Sequence, residues 1–258
     1  MFIHKTKGAM FIHIPKCGGK TITHVRDYDW VFVNILRLKK LPEHSNQPQG
    51  HSTYMDAVPL TESFVLCYSR LEDIDILTSL RDPVEWYASY YAYYWEKYKL
   101  EPFEQWRHKF INAGDDLALA GLRTAVDGSG HSLKNIAQNY EKILQLDCGV
   151  MTKYFLSCTS DFTDIEDILK TTNVYDFYNK FCKANYMINF VQSKIERHVN
   201  KGHDSAHYRD LFTEKEKKII RHKERLIYDI VYNNTHEPVM DYNCQMPLQQ
   251  LPETLNGE

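Results

Sequence analysis

Two short segments of the sequence carry side chains suited to holding an anion. The first follows the apolar run 9–14 (AMFIHI) and contains two adjacent glycines. Glycines let the backbone curl so that N–H groups point inward, and a helix starting at the end of such a loop adds positive potential. Lysines supply full charges and a threonine supplies a hydroxyl donor. The segment predicts an anion cradle rather than a plain strand–turn–helix with surface lysines, and it consists of Lys16, Cys17, Gly18, Gly19, Lys20, Thr21 and Ile22.

The second segment is 80–89 (LRDPVEWYAS). Arg81 follows a predicted strand over 75–80, and the carboxyl ends of strands are where open α/β sheets bind ligands. Asp82 and Pro83 are typical of a helix start, and Ser89 falls two turns into that helix. A guanidinium fork and a hydroxyl suit a phosphate group. The alternative is an ordinary helix start with an Arg–Asp surface pair.

Taken together, the two segments resemble the PAPS-dependent sulfotransferase family, in its carbohydrate O-sulfotransferase branch. In that family the 5′-phosphosulfate of PAPS (3′-phosphoadenylyl sulfate) is held by His-Ile-Pro-Lys-x-Gly-Gly-x-[Ser/Thr], and residues 13–21 here read HIPKCGGKT. The 3′-phosphate is held by an arginine in Leu-Arg-Asp-Pro and a serine eight positions later, which are Arg81 and Ser89 here. This chain departs from the family at Trp86, where relatives often carry arginine, and at Lys20, where a small polar residue is common.

The resemblance implies roles for residues outside these two segments. His51, in Gly50-His51, corresponds to the catalytic base, with His13 as the rival candidate, and Lys16 corresponds to the catalytic cation. An acceptor hydroxyl is a poor nucleophile until its proton is removed, and histidine titrates in the right range for that task. Lys201 and Gly202 fall in a loop that the resemblance places over the nucleotide. PAPS is the implied co-substrate, and no metal is required because lysine and backbone amides can serve the leaving group.

Strand and helix patterns along the chain predict a single α/β domain over 1–258, with 234–258 as an extended tail. The resemblance implies a P-loop-type, three-layer fold in which a parallel sheet is flanked by helices. Predicted helices cover 83–97, 103–146 with breaks, and 214–232. Predicted strands cover 9–14, 30–36, 62–68, 75–80, 173–177 and 187–191.

Composition narrows the possible partners and location. The 34 acidic and 31 basic residues give a net charge of −3, which argues against a nucleic-acid-coating protein. No apolar run approaches the roughly 20 residues of a membrane span, and no signal peptide is expected. The six cysteines lack CxxC spacing, which is typical of reduced thiols. These features predict a cytoplasmic protein without an integral membrane segment.

The predicted function is sulfuryl transfer from PAPS to a hydroxyl of an acceptor, with carbohydrate favoured by the resemblance and lipid, tyrosine or a small metabolite left open. One alternative is a P-loop kinase using ATP–Mg, because Gly19-Lys20-Thr21 matches the end of a Walker A loop, although Ile14 occupies its leading glycine position. Another is a non-catalytic nucleotide- or glycan-binding protein. The aromatic run over 86–106 favours a packed core, with one or two rings left for an acceptor cleft.

Overall fold

The computed structural model describes residues 2–4, 9–18, 30–32, 54, 74–93, 102–112, 141–184, 186–189 and 205–232. Their strands form one five-stranded sheet in the order β3-β1-β2-β4-β5. The strands are β1 (Phe2–His4), β2 (Ala9–Ile12), β3 (Trp30–Phe32), β4 (Asp75–Leu80) and β5 (Tyr186–Asn189).

The parallel half of this sheet places the first segment beside the second. Strands β2 and β4 are parallel, with Phe11 opposite Leu77 and Ile12 opposite Thr78, and β5 lies parallel to β4 on the other side. All four residues of β2 are buried, as expected for a parallel strand covered on both faces. The loops that follow β2 and β4 therefore leave the same edge of the sheet.

The other half of the sheet is antiparallel, which the sequence analysis did not anticipate. Strand β1 pairs antiparallel with both β2 and β3, so the sheet formed by the described strands is mixed. Only four residues separate β1 from β2, which suits a hairpin and not a crossover helix. The three-layer arrangement of helices on both faces stays a prediction, and the strand predicted over 62–68 lies outside the described residues.

The described helices begin at recognisable caps. Asp82 accepts a hydrogen bond from the Glu85 N–H at the start of α1, where Pro83 occupies the first turn. Thr213 and Glu216 form a reciprocal capping box at the start of α7. The helices are α1 (Pro83–Tyr91), α2 (Phe103–Asn112), α3 (Val150–Thr159), α4 (Ile165–Lys170), α5 (Val174–Phe181), α6 (Ser205–Asp210), α7 (Glu214–Lys223) and α8 (Arg225–Tyr232). None of them combines the length and apolar character needed to cross a bilayer.

The predicted strand over 173–177 is wrong, because this segment opens α5. Asn173 caps the helix by accepting from the Tyr175 N–H. The buried residues then recur at helical spacing rather than in alternation, and they are Val174, Phe177, Tyr178 and Phe181. The five residues 173–177 are too few to show the helical period, which is apparent when the segment is extended to Phe181.

The predicted single helix over 214–232 is two helices that meet at Glu224. The backbone leaves helical geometry at this residue, with φ −96° and ψ 23°. Its side chain turns into the core, where it is fully buried. A lone glutamate inside an amphipathic pattern gives no sign of such a break, since glutamate is a good helix former.

Glu224 caps the N-terminus of α3 from a distant part of the chain. Its Oε1 accepts from the Tyr87 hydroxyl (2.6 Å) and the Met151 N–H (3.0 Å). Its Oε2 accepts from the Thr152 N–H (2.9 Å) and the Thr152 hydroxyl (2.6 Å). Gly149, the N-cap residue, has no side chain to do this. The carboxylate thus satisfies amides that a helix N-terminus leaves without intrahelical partners.

Aromatic side chains of α1 and α2 form the centre of the described core. Trp86 stacks on Tyr90 at 4.8 Å between ring centroids, and Trp106 stacks on Phe110 at 4.6 Å. All four rings are buried. Among the described rings of the predicted aromatic run, Tyr93 is the exposed one, at 36%.

Candidate functional site

The loop after β2 turns back on itself through a backbone conformation that lysine rarely adopts. The Cys17 N–H donates to the Ile14 carbonyl at 3.2 Å, which closes a four-residue turn. Proline at its second position and a positive φ at its third are the pattern of a type II turn, where glycine is usual at the third position. Here the third residue is Lys16, with φ 64°. A lysine in this region costs about 1–2 kcal/mol of backbone strain.

Three buried side-chain donors from β4 and α1 hold this loop. The Trp86 indole N–H donates to the Pro15 carbonyl (2.8 Å), and the Ser79 hydroxyl donates to the Cys17 carbonyl (2.7 Å). The Thr78 hydroxyl donates to the Ile12 carbonyl (2.8 Å) at the end of β2. The loop is thus fixed by its surroundings, and Trp86, which departs from the family pattern, is one of its anchors.

We expect Trp86→Phe to loosen this loop selectively. The variant keeps most of the packing but leaves the Pro15 carbonyl without its buried donor, at a cost of about 1–3 kcal/mol. The Cys17 amide closes the turn, so its hydrogen-exchange rate should increase in this variant. The factor of increase should be at least as large as the factor by which the global unfolding equilibrium changes. Trp106→Phe is the matched control, because Trp106 is equally buried but lies in α2. Equal acceleration in both variants would contradict the anchoring role.

The Lys16 ammonium lies over the ring of Tyr93, 4.0 Å from its centroid. This cation–π contact keeps the charged end of the side chain at the partly exposed end of α1. The sequence around Tyr93 does not distinguish it from the other aromatic residues of its run, so a ring beside the loop cannot be told from a ring in the core.

Cys17 and Gly18 continue the loop in different ways. The Cys17 side chain is fully buried, and burial raises the pKa of its thiol to about 12, although the charge of Arg81 partly opposes the shift. The thiol is therefore protonated at neutral pH and is not a nucleophile. Gly18 has φ 76°, a left-handed conformation that suits glycine. Neither residue offers a charged or ionised side chain to an anion, and the Cys17 N–H is already donated to the Ile14 carbonyl.

Arg81 leaves the carboxyl end of β4 next to this loop. Its Nε contacts Glu85 Oε2 at 3.1 Å, and the pair is partly exposed. Within the described part of the chain, its two terminal nitrogens have no hydrogen-bond partner. The fork geometry of these nitrogens is the one that binds a phosphate or carboxylate in bidentate fashion.

Ser89 lies on the face of α1 that meets the loop. It follows Trp86 by three residues and precedes Tyr93 by four, and residues at these spacings share one face of a helix. Trp86 and Tyr93 both contact the loop, at Pro15 and at Lys16. The half-buried Ser89 therefore lies on the side of the helix that faces the loop.

The structure thus brings together five of the predicted site residues at one edge of the sheet, namely Lys16, Cys17, Gly18, Arg81 and Ser89. The remaining predicted residues lie outside the described ranges, and they are Gly19, Lys20, Thr21, Ile22, His51, Lys201 and Gly202. Sequence reasoning missed Glu85 and also Arg209, whose Nη1 lies 3.6 Å from Glu85 Oε1. Glu85 could have been found from its i, i+4 spacing to Arg81, whereas no local signal points to Arg209.

No family model, curated protein or solved structure matches this chain. The resemblance to sulfotransferases therefore rests on the two motifs. In the described ranges, no group of three or more His, Cys, Asp or Glu side chains is placed to hold a metal ion. The chemistry that these residues offer is that of an anion site, with a lysine, an arginine fork and a glycine-containing loop that follow the ends of two parallel strands.

Proposed function

We propose that this protein is a sulfotransferase that moves the sulfuryl group of PAPS to a hydroxyl of an acceptor, with a carbohydrate as the favoured acceptor class. The observation that carries the proposal is the left-handed Lys16 in the loop after β2, with Arg81 at the end of the neighbouring parallel strand. Strained residues persist where the surrounding structure holds them, and they cluster at active sites and ligand clamps. Glycine would remove the strain at this position but would also remove the amine.

Sulfuryl transfer resembles phosphoryl transfer in its demands, which are in-line attack, positioning and charge stabilisation. The acceptor oxygen forms a bond to sulfur while the bond from sulfur to the bridging oxygen of the nucleotide breaks. The nucleotide leaves with that electron pair as 3′-phosphoadenosine 5′-phosphate (PAP). In the proposed mechanism, Lys16 and the amides of 18–22 stabilise the charge that develops on the departing oxygen.

The other groups have binding and proton-transfer roles in this proposal. Thr21 binds the 5′-phosphate, and Arg81 and Ser89 hold the 3′-phosphate. His51 accepts the proton of the acceptor hydroxyl as the oxygen attacks. The proposed role of Arg81 is supported by its two terminal nitrogens, which have no hydrogen-bond partner within the described part of the chain. The role of His51 comes from the resemblance.

Calorimetric titration with PAP in the presence of EDTA tests the binding half of the proposal. We expect one PAP to bind per chain with no magnesium requirement, and ATP–Mg to bind more weakly. Preference for ATP–Mg would favour a P-loop kinase, which would use Lys20 and Thr21 with magnesium.

A transfer assay with sulfur-labelled PAPS over a panel of glycans tests the catalytic half. Label should move to at least one acceptor, and His51→Ala should abolish this transfer while PAP affinity is retained. PAP binding without transfer to any glycan, lipid, tyrosine peptide or small hydroxyl compound would instead favour a non-catalytic binding protein.

A further inference from the structure

One carboxylate on α1 connects two arginines from distant parts of the chain. Glu85 Oε2 contacts Arg81 Nε at 3.1 Å, and Glu85 Oε1 contacts Arg209 Nη1 at 3.6 Å. Arg209 also binds Asp210, with its Nε 2.9 Å from Oδ1. Two guanidinium groups therefore occupy the two oxygens of a single carboxylate.

The position of Arg209 does not depend on these exposed ion pairs. Its helix, α6, is packed against the aromatic core by the neighbouring Tyr208, whose ring lies 4.7 Å from that of Tyr91 and 5.1 Å from that of Phe103. Just after the helix, the Leu211 carbonyl accepts from Arg107 at 2.6 Å. Partly buried contacts at Tyr208 and Leu211 thus hold the backbone of α6 beside Glu85.

The charges around Arg81 explain why a second arginine matters there. Glu85 orients Arg81 through Nε, but its negative charge also opposes an anion at the terminal nitrogens of Arg81. Arg209 offsets that charge from the far oxygen of the carboxylate. Asp210 reduces this effect, yet its side chain is 69% exposed, so solvent screens its charge more strongly than that of Glu85.

We propose that Arg209 is a positioning residue that makes the site selective for nucleotides with a 3′-phosphate. Through Glu85 it fixes the fork of Arg81, and it offsets part of the negative charge of Glu85 that would oppose a 3′-phosphate. This inference rests on the proposed function, because that function gives Arg81 a 3′-phosphate as its ligand. Arg209 itself does not need to touch the nucleotide.

The test compares PAP with adenosine 5′-monophosphate, which lacks the 3′-phosphate. In Arg209→Gln, PAP affinity should fall about three- to fivefold, the range expected for a partly exposed charge pair, while affinity for the monophosphate stays unchanged. The loss should shrink in high salt because the pair is accessible to ions. Arg209→Lys should recover part of the PAP affinity. Arg225→Gln is the matched control, since Arg225 is a partly exposed arginine paired with Asp147.

A double-mutant cycle separates positioning from a merely structural role. If Arg209 acts through Glu85, Arg209→Gln should have little further effect on the ratio of PAP to monophosphate affinity in a Glu85→Gln background. If Arg209→Gln lowered the affinities for PAP and for the monophosphate by the same factor, Arg209 would only support the fold. If it changed neither affinity, the inference would also be overturned. A wild-type protein that binds no PAP would overturn the proposed function together with this inference.

Discussion

Lys16→Gly should make the protein more stable and slow sulfuryl transfer by at least about a hundredfold. Glycine adopts φ 64° without a Cβ clash, so the substitution should raise the free energy of unfolding by about 1 kcal/mol. The same substitution removes the amine that the proposed mechanism places on the leaving oxygen. Loss of one preorganised donor to a developing oxyanion typically costs about 3 kcal/mol or more in the transition state. Urea unfolding and turnover with PAPS measure the two effects.

Lys16→Ala separates the backbone effect from the loss of the amine. Both substitutions remove the contact with Tyr93, but alanine also keeps the backbone strain, so this variant should be less stable than Lys16→Gly and equally slow. Lys183→Gly is a control for glycine itself, because Lys183 is half-buried and does not have a positive φ. This control should lose stability. Near-normal turnover in either Lys16 variant would show that the amine is not used in catalysis.

The parts of the site that were predictable are contiguous in the sequence. The strand predicted over 75–80 is observed as Asp75–Leu80, and the helix start at Pro83 follows from the Asp82 cap and the proline. Hydrophobic runs and capping residues act locally, so a single sequence is enough to reveal them. The left-handed Lys16 is different, since lysine carries no propensity for that conformation and the loop is held by contacts with Trp86 and Ser79, which are distant in the sequence.

The parts that were not predictable depend on contacts between distant residues. Arg209 comes beside Glu85 because Tyr208 packs into an aromatic cluster built from α1 and α2. Glu224 interrupts a good amphipathic helix because the start of α3 provides donors for its carboxylate. In both cases tertiary packing overrides local propensity, and the sequence around each residue looks like an ordinary exposed helix.

Glu224→Ala should be among the most destabilising substitutions in this chain. The carboxylate accepts four hydrogen bonds and is fully buried, so its removal leaves those donors unsatisfied beside a new cavity. We expect a loss of about 3–5 kcal/mol in the free energy of unfolding, measured with urea at pH 7. Glu224→Gln should lose about 2 kcal/mol, because an amide fills the space but its NH2 group cannot accept from the Thr152 N–H. A Gln variant as stable as the wild type would contradict the capping role.

The pH dependence of stability gives a second test of Glu224. Burial raises the pKa of its carboxyl above the ordinary glutamate value, although the hydrogen bonds from Thr152, Tyr87 and Met151 oppose the shift. A folded-state pKa above the unfolded one means that the folded protein holds this proton more tightly. The resulting stabilisation is therefore present at low pH and is lost as the pH rises through the folded-state value. Glu224→Gln has no titrating group at this position, so the free energy of unfolding of the wild type should fall relative to that of Glu224→Gln as the pH rises above the ordinary glutamate pKa.

Gly149→Ala tests the same cap by changing the residue that the Glu224 carboxylate approaches. A Cβ built on Gly149 would lie 2.0 Å from Glu224 Oε1, so the carboxylate must move and give up part of its hydrogen bonding. We expect this variant to lose about 2–3 kcal/mol in the wild-type background, again by urea unfolding. In the Glu224→Ala background the clash is gone, and the same alanine should cost little, because it replaces a glycine at a position with φ −81°. Equal costs in the two backgrounds would mean that Gly149 is required for a reason other than the approach of Glu224.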